Sequence, residues 1–230
     1  MKTTFDLTIC FTIGRRPELL RETLVSVGPL IRDYRVLAVN DFGDEITNKV
    51  FSAYCPKGEL LSLGEHVGHH RAVDYMYDRV KTEFIFHCED DWKFHDLNFL
   101  GQSIDALRAS DSLSMVCLRS LSDFQFTNED FAKKLEIKLG DKKLADMTRL
   151  HDQWHGFTFN PHLARTEIWR DLGGFSSFKK ERHISRHLRK KGLKVGYLEP
   201  GFCRHIGEEA SVANPPKPSL LKRLRHWFKS

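Results

Sequence analysis

Three consecutive acids, Glu89-Asp90-Asp91, follow without a break on the apolar run EFIFHC of residues 83–88. Such a run reads as a strand buried on both faces, as in a parallel sheet covered by helices. The acids then emerge at the C-terminal edge of that strand, where open α/β sheets bind ligands. Clustered carboxylates repel one another, and a cation offsets the cost. Mg²⁺ and Mn²⁺ suit such a site, because hard ions take oxygen ligands, often one or two carboxylates plus substrate phosphates. The competing reading is a solvated acidic turn. The buried strand before the triplet and Trp92 after it favour a ligand site.

The rest of the chain fits the same architecture. Residues 5–13 read as another buried strand, and Arg16-Pro17-Glu18 opens an amphipathic helix through Leu19, Leu20, Leu24 and Val27. Residues 34–40 (YRVLAVN) form a second strand, closed by the turn Asp41-Phe42-Gly43-Asp44. A short strand over 60–63, helical spacing over 72–80, a helix over 97–110 and a strand over 114–118 follow. This order predicts an α/β fold with a mostly parallel central sheet flanked by helices. Ordered structure resumes over 157–169. Leu172-Gly173-Gly174-Phe175 is a turn, residues 181–191 are a polar helix ended by Gly192, and 195–198 form a late strand. Residues 123–149 are polar and lysine-rich and read as a variable insertion or mobile loop. One domain over 1–214 is expected, followed by the proline-rich linker Asn214-Pro215-Pro216-Lys217-Pro218 and a tail ending at Ser230.

Charge and composition narrow the function. The chain has 36 Lys and Arg against 31 Asp and Glu, a net charge of +5. Lys217, Lys222, Arg223, Arg225 and Lys229 account for all of it, so residues 1–214 sum to zero. A body without net basic character argues against a nucleic-acid partner. The five cysteines include no Cys-x-x-Cys pair, and Cys10, Cys88 and Cys117 lie in apolar runs, which argues against a thiolate zinc site and fits a reducing, cytoplasmic setting. No apolar run reaches the ~20 residues of a membrane-spanning helix. The N-terminus reads as the first strand rather than a signal peptide. Twelve histidines include His151 with His155 and His183 with His187, each four apart, and a cluster of His66, His69 and His70. The His-Glu-x-x-His form of a zinc hydrolase is missing. So are the Walker-type phosphate loop, the Gly-x-Gly-x-x-Gly dinucleotide turn and the Gly-x-Ser-x-Gly elbow.

Taken in order, several stretches resemble the GT-A glycosyltransferases, especially the inverting family 2 type. Thr8 to Leu20, TICFTIGRRPELL, resembles the family's opening strand and helix, with Arg16 and Pro17 matching its Asn-Arg-Pro. Val39-Asn40-Asp41 resembles the second-strand Asp-Asp, with Asn40 in place of the first acid. Gly68 and Ala72 match a helix start in which His66 and Asp74 replace two asparagines. Glu89-Asp90-Asp91 falls at the Asp-x-Asp metal motif, and Gly173-Gly174-Phe175 at the Gly-Gly-Phe before the catalytic helix. There Glu181 occupies the position of the base and Lys180 that of the preceding acid. His205 falls at a metal-binding histidine. The resemblance spans about residues 5–207.

It implies transfer of a sugar from a nucleotide-sugar donor to an acceptor hydroxyl with inversion, assisted by Mn²⁺ or Mg²⁺ held by Asp91 and His205. Thr12, Arg16, Asp41, Arg71 and Asp90 would contact the donor, with Trp154 and His155 as further binding candidates. Glu181 would take the acceptor proton. A glycan or lipid-linked acceptor in surface-glycan or glycolipid synthesis is the expected setting. Two readings compete: a sugar-phosphate nucleotidyltransferase, whose Gly-rich loop with a following Lys is not supplied by Gly14-Arg15-Arg16, and a non-catalytic GT-A-like binding protein, which the departures at Ile13, Asn40, Glu89 and Lys180 allow. The tail adds an expectation of its own. Leu220, Leu221, Leu224, Trp227 and Phe228 share one helical face, with basic residues on the rest. That pattern predicts peripheral docking on an anionic membrane, with packing of the helix on the body as the alternative.

Overall fold

The computed structural model describes residues 5–140 and 142–207. The strands are β1 (Leu7–Ile13), β2 (Arg35–Asn40), β3 (Glu59–Ser62), β4 (Phe84–Glu89), β5 (Trp92–Phe94), β6 (Leu113–Cys117), β7 (Leu135–Leu139), β8 (Lys142–Asp146), β9 (His162–Arg165), β10 (Lys194–Leu198) and β11 (Cys203–His205). The helices are α1 (Pro17–Ser26), α2 (Gly28–Asp33), α3 (Glu45–Tyr54), α4 (His69–Tyr77), α5 (Phe99–Ala109), α6 (Asn128–Ala132), α7 (Thr166–Asp171) and α8 (Glu181–Lys190).

Nine strands make one sheet in the order β3-β2-β1-β4-β9-β6-β10-β8-β7. The first four are parallel to one another. β9 enters antiparallel between β4 and β6, β10 runs parallel to β6, and β8 and β7 close the far edge as an antiparallel pair. Every residue of β1 is buried, because both faces of the sheet are covered. Its alternation sorts the side chains. Leu7, Ile9, Phe11 and Ile13 join a core with Leu20 and Leu24 of α1, Phe51 of α3 and Ile104 and Leu107 of α5. Cys10 faces the other way, into a core with Val73 and Met76 of α4 and Ile184 and Leu188 of α8. All five cysteines are buried free thiols.

Residues 123–149 are not the mobile loop of the expectation. They contain α6 and the β7–β8 hairpin, which extends the sheet through β10. Leu135, Ile137 and Leu139 alternate with Glu136 and Lys138, a half-buried strand pattern. The flanking lysines hide it in composition. His151 and His155 do not share a helix face. Residues 151–160 are a loop, docked on α8 through the Ser185 hydroxyl, which accepts hydrogen bonds from the Gly156 and Phe157 N–H groups. No helix among the described residues is long and apolar enough to cross a membrane. The tail predicted to dock on a membrane lies outside the described residues.

Candidate active site

The acids after β4 are brought to their partners by two short pieces of backbone. Beside α1, the Trp92 N–H donates to Thr23 Oγ1 at 3.1 Å and the Phe94 N–H to Ser26 Oγ at 3.1 Å. That holds α1 alongside the acidic turn. Pro17 opens α1, and Arg16, at its N-cap with no side-chain capping bond, is free to reach across. Its guanidinium forks between Asp90 Oδ1 and Asp91 Oδ2. Asp90 also accepts the Gly14 N–H at 3.0 Å. The second piece is the two-stranded ladder of β5 and β11, in which Trp92 pairs with His205. It sets His205 Nε2 2.9 Å from Asp91 Oδ2, and the Ile206 N–H donates to the Asp91 carbonyl at 2.9 Å. Gly207 closes this wall. A Cβ there would stand 2.5 Å from Asp91 Oδ2, so only glycine fits.

These groups line a cavity of about 620 Å³ together with Thr12, Asp41, His66 and His69. Its size lies within the ~300–1,000 Å³ usual for small-molecule sites. Asp41 ties down the opposite wall. It accepts the Val67 and Gly68 N–H groups at 2.8 and 3.1 Å, and its Oδ2 lies 2.8 Å from His66 Nδ1. Gly68 has φ +92°, which an L side chain rarely adopts. Asn40, where the resembled family has an acid, is fully buried and builds the turn after β2. Its Oδ1 accepts the Phe42 and Gly43 N–H groups, and its Nδ2 donates to Asn48 Oδ1 at 2.8 Å. The Phe42 and His66 rings stack 4.6 Å apart at the cavity rim.

Burial divides the carboxylates electrostatically. It pushes Glu89 up to about 8, reinforced by the charges of Asp91 and Glu181. It pushes Asp90 up to about 7 against the opposing pull of Arg16. Burial also opposes ionisation of Asp91, but the His205 hydrogen bond and Arg16 together hold it below the usual range. Asp91 is therefore the anion of the group, and its buried Oδ1 has no hydrogen-bond partner. A divalent ion fits there: one carboxylate with a free oxygen, one imidazole beside it, and open cavity for phosphates and waters. Among the described residues no cluster of three or more His, Cys, Asp or Glu ligands forms, so the protein offers two donors rather than a closed cage.

Glu181 opens α8. Its carboxylate accepts hydrogen bonds from the Thr158 hydroxyl and the Phe159 N–H, and burial pushes it up to about 7. It is close enough to Glu89 for its charge to push that acid further up. The turn before α8 is fixed by Asp74 of α4. The Asp74 carboxylate accepts the Phe175 N–H at 2.7 Å, the Ser176 N–H at 2.8 Å and the Trp169 indole N–H at 2.8 Å. Gly174 is required there, with φ +89° and only 2.9 Å from an added Cβ to Asp74 Oδ2. Asp74 is thus a positioning residue for the segment carrying Glu181. In sequence it shows only as a departure from an asparagine.

Of the other candidates, Arg71 lies outside this cavity. Ala72, Val73, Met76 and Tyr77 are the buried face of α4, which leaves Arg71 on the exposed side. Trp154 and His155 also lie away from it. His155 Nδ1 is 2.9 Å from the Tyr197 hydroxyl, and burial pushes the imidazole down to about 4. Trp154 is exposed, and its carbonyl accepts from Arg189 at 3.2 Å. His69, marked in the sequence only as one of three clustered histidines, belongs to the site instead. It lines the cavity with a buried Nε2 that lacks a hydrogen-bond partner and lies 3.7 Å from Glu89 Oε1.

The arrangement of the sheet and its flanking helices is that of the GT-A glycosyltransferase fold. The chain superposes on a mannosyltransferase from Pyrobaculum calidifontis, solved with GDP-Man and Mn²⁺, with a TM-score of 0.67 at 13% identity; the match covers 91% of this chain and 59% of that one. It also superposes on residues 1–349 of S. aureus TarS, solved with UDP-GlcNAc and with UDP, with a TM-score of 0.61 at 10% identity in each case. Those matches cover 86% of this chain and 57% and 59% of the TarS chains. The chain therefore spans under two thirds of the length of these structures. No protein-family model matches the sequence, and no curated protein matches it.

Proposed function

We propose that the chain is a glycosyltransferase that takes a sugar from a nucleotide-sugar donor and passes it, with inversion, to an acceptor hydroxyl. The observation that carries this reading is the pairing of Asp91, with its free buried oxygen, and His205, together with Glu181 of α8, pushed up to about 7 and near enough for its charge to act on Glu89. The likeness to structures solved with GDP-Man and UDP-GlcNAc supports the same reading.

In this mechanism Asp91 and His205 would hold Mn²⁺ or Mg²⁺. Bound there, the ion would neutralise the charge that develops on the departing diphosphate. Thr12 and Asp41 line the cavity beside the Phe42–His66 stack, where the nucleoside would lie. Arg16 locks Asp90 and Asp91 in register and keeps two close acids compatible with burial. Glu181, ionised above about pH 7, accepts the proton of the acceptor hydroxyl. That oxygen forms the new bond to the anomeric carbon as the bond to the diphosphate oxygen breaks. One displacement inverts the anomeric centre.

One observation favours the non-catalytic alternative: Arg16 already pairs with Asp91, the carboxylate that would hold an ion. Hydrolysis of a panel of UDP-, GDP- and dTDP-sugars with Mn²⁺ decides. Turnover of one donor, lost with chelator, is expected. Failure of every donor to bind or turn over would leave the fold without the chemistry.

A further inference from the structure

One further cavity adjoins the candidate active site through a shared side chain, and another adjoins that one. His69 lines the active-site cavity and also one of about 420 Å³ with His70, Arg71, Phe178 and Lys179. Phe178 in turn lines a third, of about 280 Å³, with His183, Arg186, His187 and Lys190. The second and third are open furrows, joined where His70 Nδ1 meets the Phe178 carbonyl at 2.7 Å and the Phe178 ring meets His187 edge-on at 5.6 Å. No acid lines either of them, although the active-site cavity they leave is walled by four carboxylates.

The cations are there because of α8. Residues 179–191 hold seven Lys and Arg and one acid, Glu181. That acid is drawn inward by Thr158 and Phe159. Ile184, Ser185 and Leu188 face the sheet, and Arg186, His187 and Lys190 are exposed. Among the described residues none of Lys179, Arg186 and Lys190 has a carboxylate partner. Cations spaced at i, i+4 along one helix repel by a few tenths of a kcal/mol per pair. An anionic ligand converts that repulsion into attraction.

We infer that this furrow, from Arg71 and Lys179 to Arg186 and Lys190, binds an extended polyanionic chain carrying phosphate groups. Identifying that chain as the acceptor rests on the transferase reading above. Its end would enter past His69 to the face of Glu181, with successive anions over Lys179 and then Arg186 and Lys190. The same furrow reassigns Arg71, which the resemblance gave to the donor. The contiguity with the active-site cavity favours a chain that threads inward over a flat membrane surface, which needs no furrow.

The test uses the full-length protein and linear polyphosphate as the probe, with neutral dextran as control. Binding is expected to weaken at least tenfold in Arg186→Glu/Lys190→Glu at 0.15 M salt. Lys57→Glu/Lys81→Glu, an equal charge change on exposed residues outside the furrow, is expected to shift it less than twofold. On the wild-type chain, polyphosphate should shield Lys179 and Lys190 from acetylation, a readout independent of any variant. Equal weakening by both pairs, or acetylation unaffected by the probe, overturns the furrow. So does loss of binding to phosphatidylglycerol vesicles in the Arg186/Lys190 pair with polyphosphate binding intact. Sugar-nucleotide hydrolysis is followed on the same preparations. Hydrolysis with furrow-independent polyphosphate binding sinks the furrow alone, whereas furrow-dependent binding without any donor turnover sinks the transferase reading and leaves the anion site standing.

Discussion

The two halves of the sheet are built differently and carry different parts of the site. The four strands β3-β2-β1-β4 are all parallel, and their C-terminal ends deliver Asp41, Glu89, Asp90 and Asp91 to one edge. The five strands β9-β6-β10-β8-β7 are mixed in direction. Around them lie Thr158, Phe159 and Glu181, and the cationic face of α8. The parallel half concentrates four carboxylates around one cavity. The mixed half holds one acid, pushed up to about 7 by burial, on a helix whose exposed face is cationic. Under the transferase reading proposed above, donor handling would fall to the first half and proton transfer to the second.

The strongest way to break that division is Asp91→Asn. Losing the one anion with a free oxygen should abolish metal-dependent donor turnover and Mn²⁺ binding, read by calorimetry, with the thermal midpoint little changed. Near-wild-type turnover at saturating Mn²⁺ would remove the ion from the parallel half. Next comes Glu181→Gln. General-base catalysis is worth about 10²–10⁴-fold, so kcat should fall by that factor with donor affinity unchanged. Because burial holds Glu181 at about 7, the base is protonated below neutrality. In the wild type kcat/KM should therefore climb roughly tenfold per pH unit towards pH 7, and that limb should vanish in the Gln variant. A limb that persists assigns it to another group; lost donor affinity at constant kcat moves Glu181 into the donor half.

Arg16→Ala tests how the parallel half tolerates its acids. Removing one partner of a buried ion pair costs about 3–5 kcal/mol, and Asp90 and Asp91 are both buried. The loss, read by denaturant titration, should be larger at pH 8 than at pH 5. At pH 5 Asp90, held at about 7 in the fold, is protonated and leaves less charge uncompensated. An equal loss at both values would mean the guanidinium acts by packing alone. The smallest effect on the chemistry is expected from ending the chain at Asn214. Donor hydrolysis should be unchanged, while flotation with vesicles containing anionic lipid should disappear. The lipid attraction amounts to roughly 1 kcal/mol per basic residue near the surface and weakens with salt. Equal flotation of both chains at low salt would dismiss the tail as an anchor.

The parallel half was largely legible in the sequence, because its signals are local. An apolar run emptying into three acids, and Arg16-Pro17 ahead of an amphipathic helix, each occupy one stretch of chain. What escaped was set by contacts across long separations. β5 and β11 are three residues each, too short for a periodic signal, and they meet only in three dimensions. α3 buries only Thr47 and Phe51, so its apolar stripe is thin. The β7–β8 hairpin is half-exposed at a sheet edge and rich in lysine. Arg71 sits one residue before a buried pair on α4, and that single step of about 100° turns it from the cavity to the furrow.

The carboxylate of Asp74 carries a consequence for how such a chain can change. It grips backbone 101 and 102 residues further along, which makes the intervening stretch, edge hairpin included, a loop closed at both ends. Lengthening a closed loop costs little, about 0.6 kcal/mol per doubling. Within that stretch the exposed hairpin and the turns around it can be shortened, extended or exchanged while the clasp keeps α8 at its station. The part of the molecule freest to diversify is thereby insulated from the part that must not move.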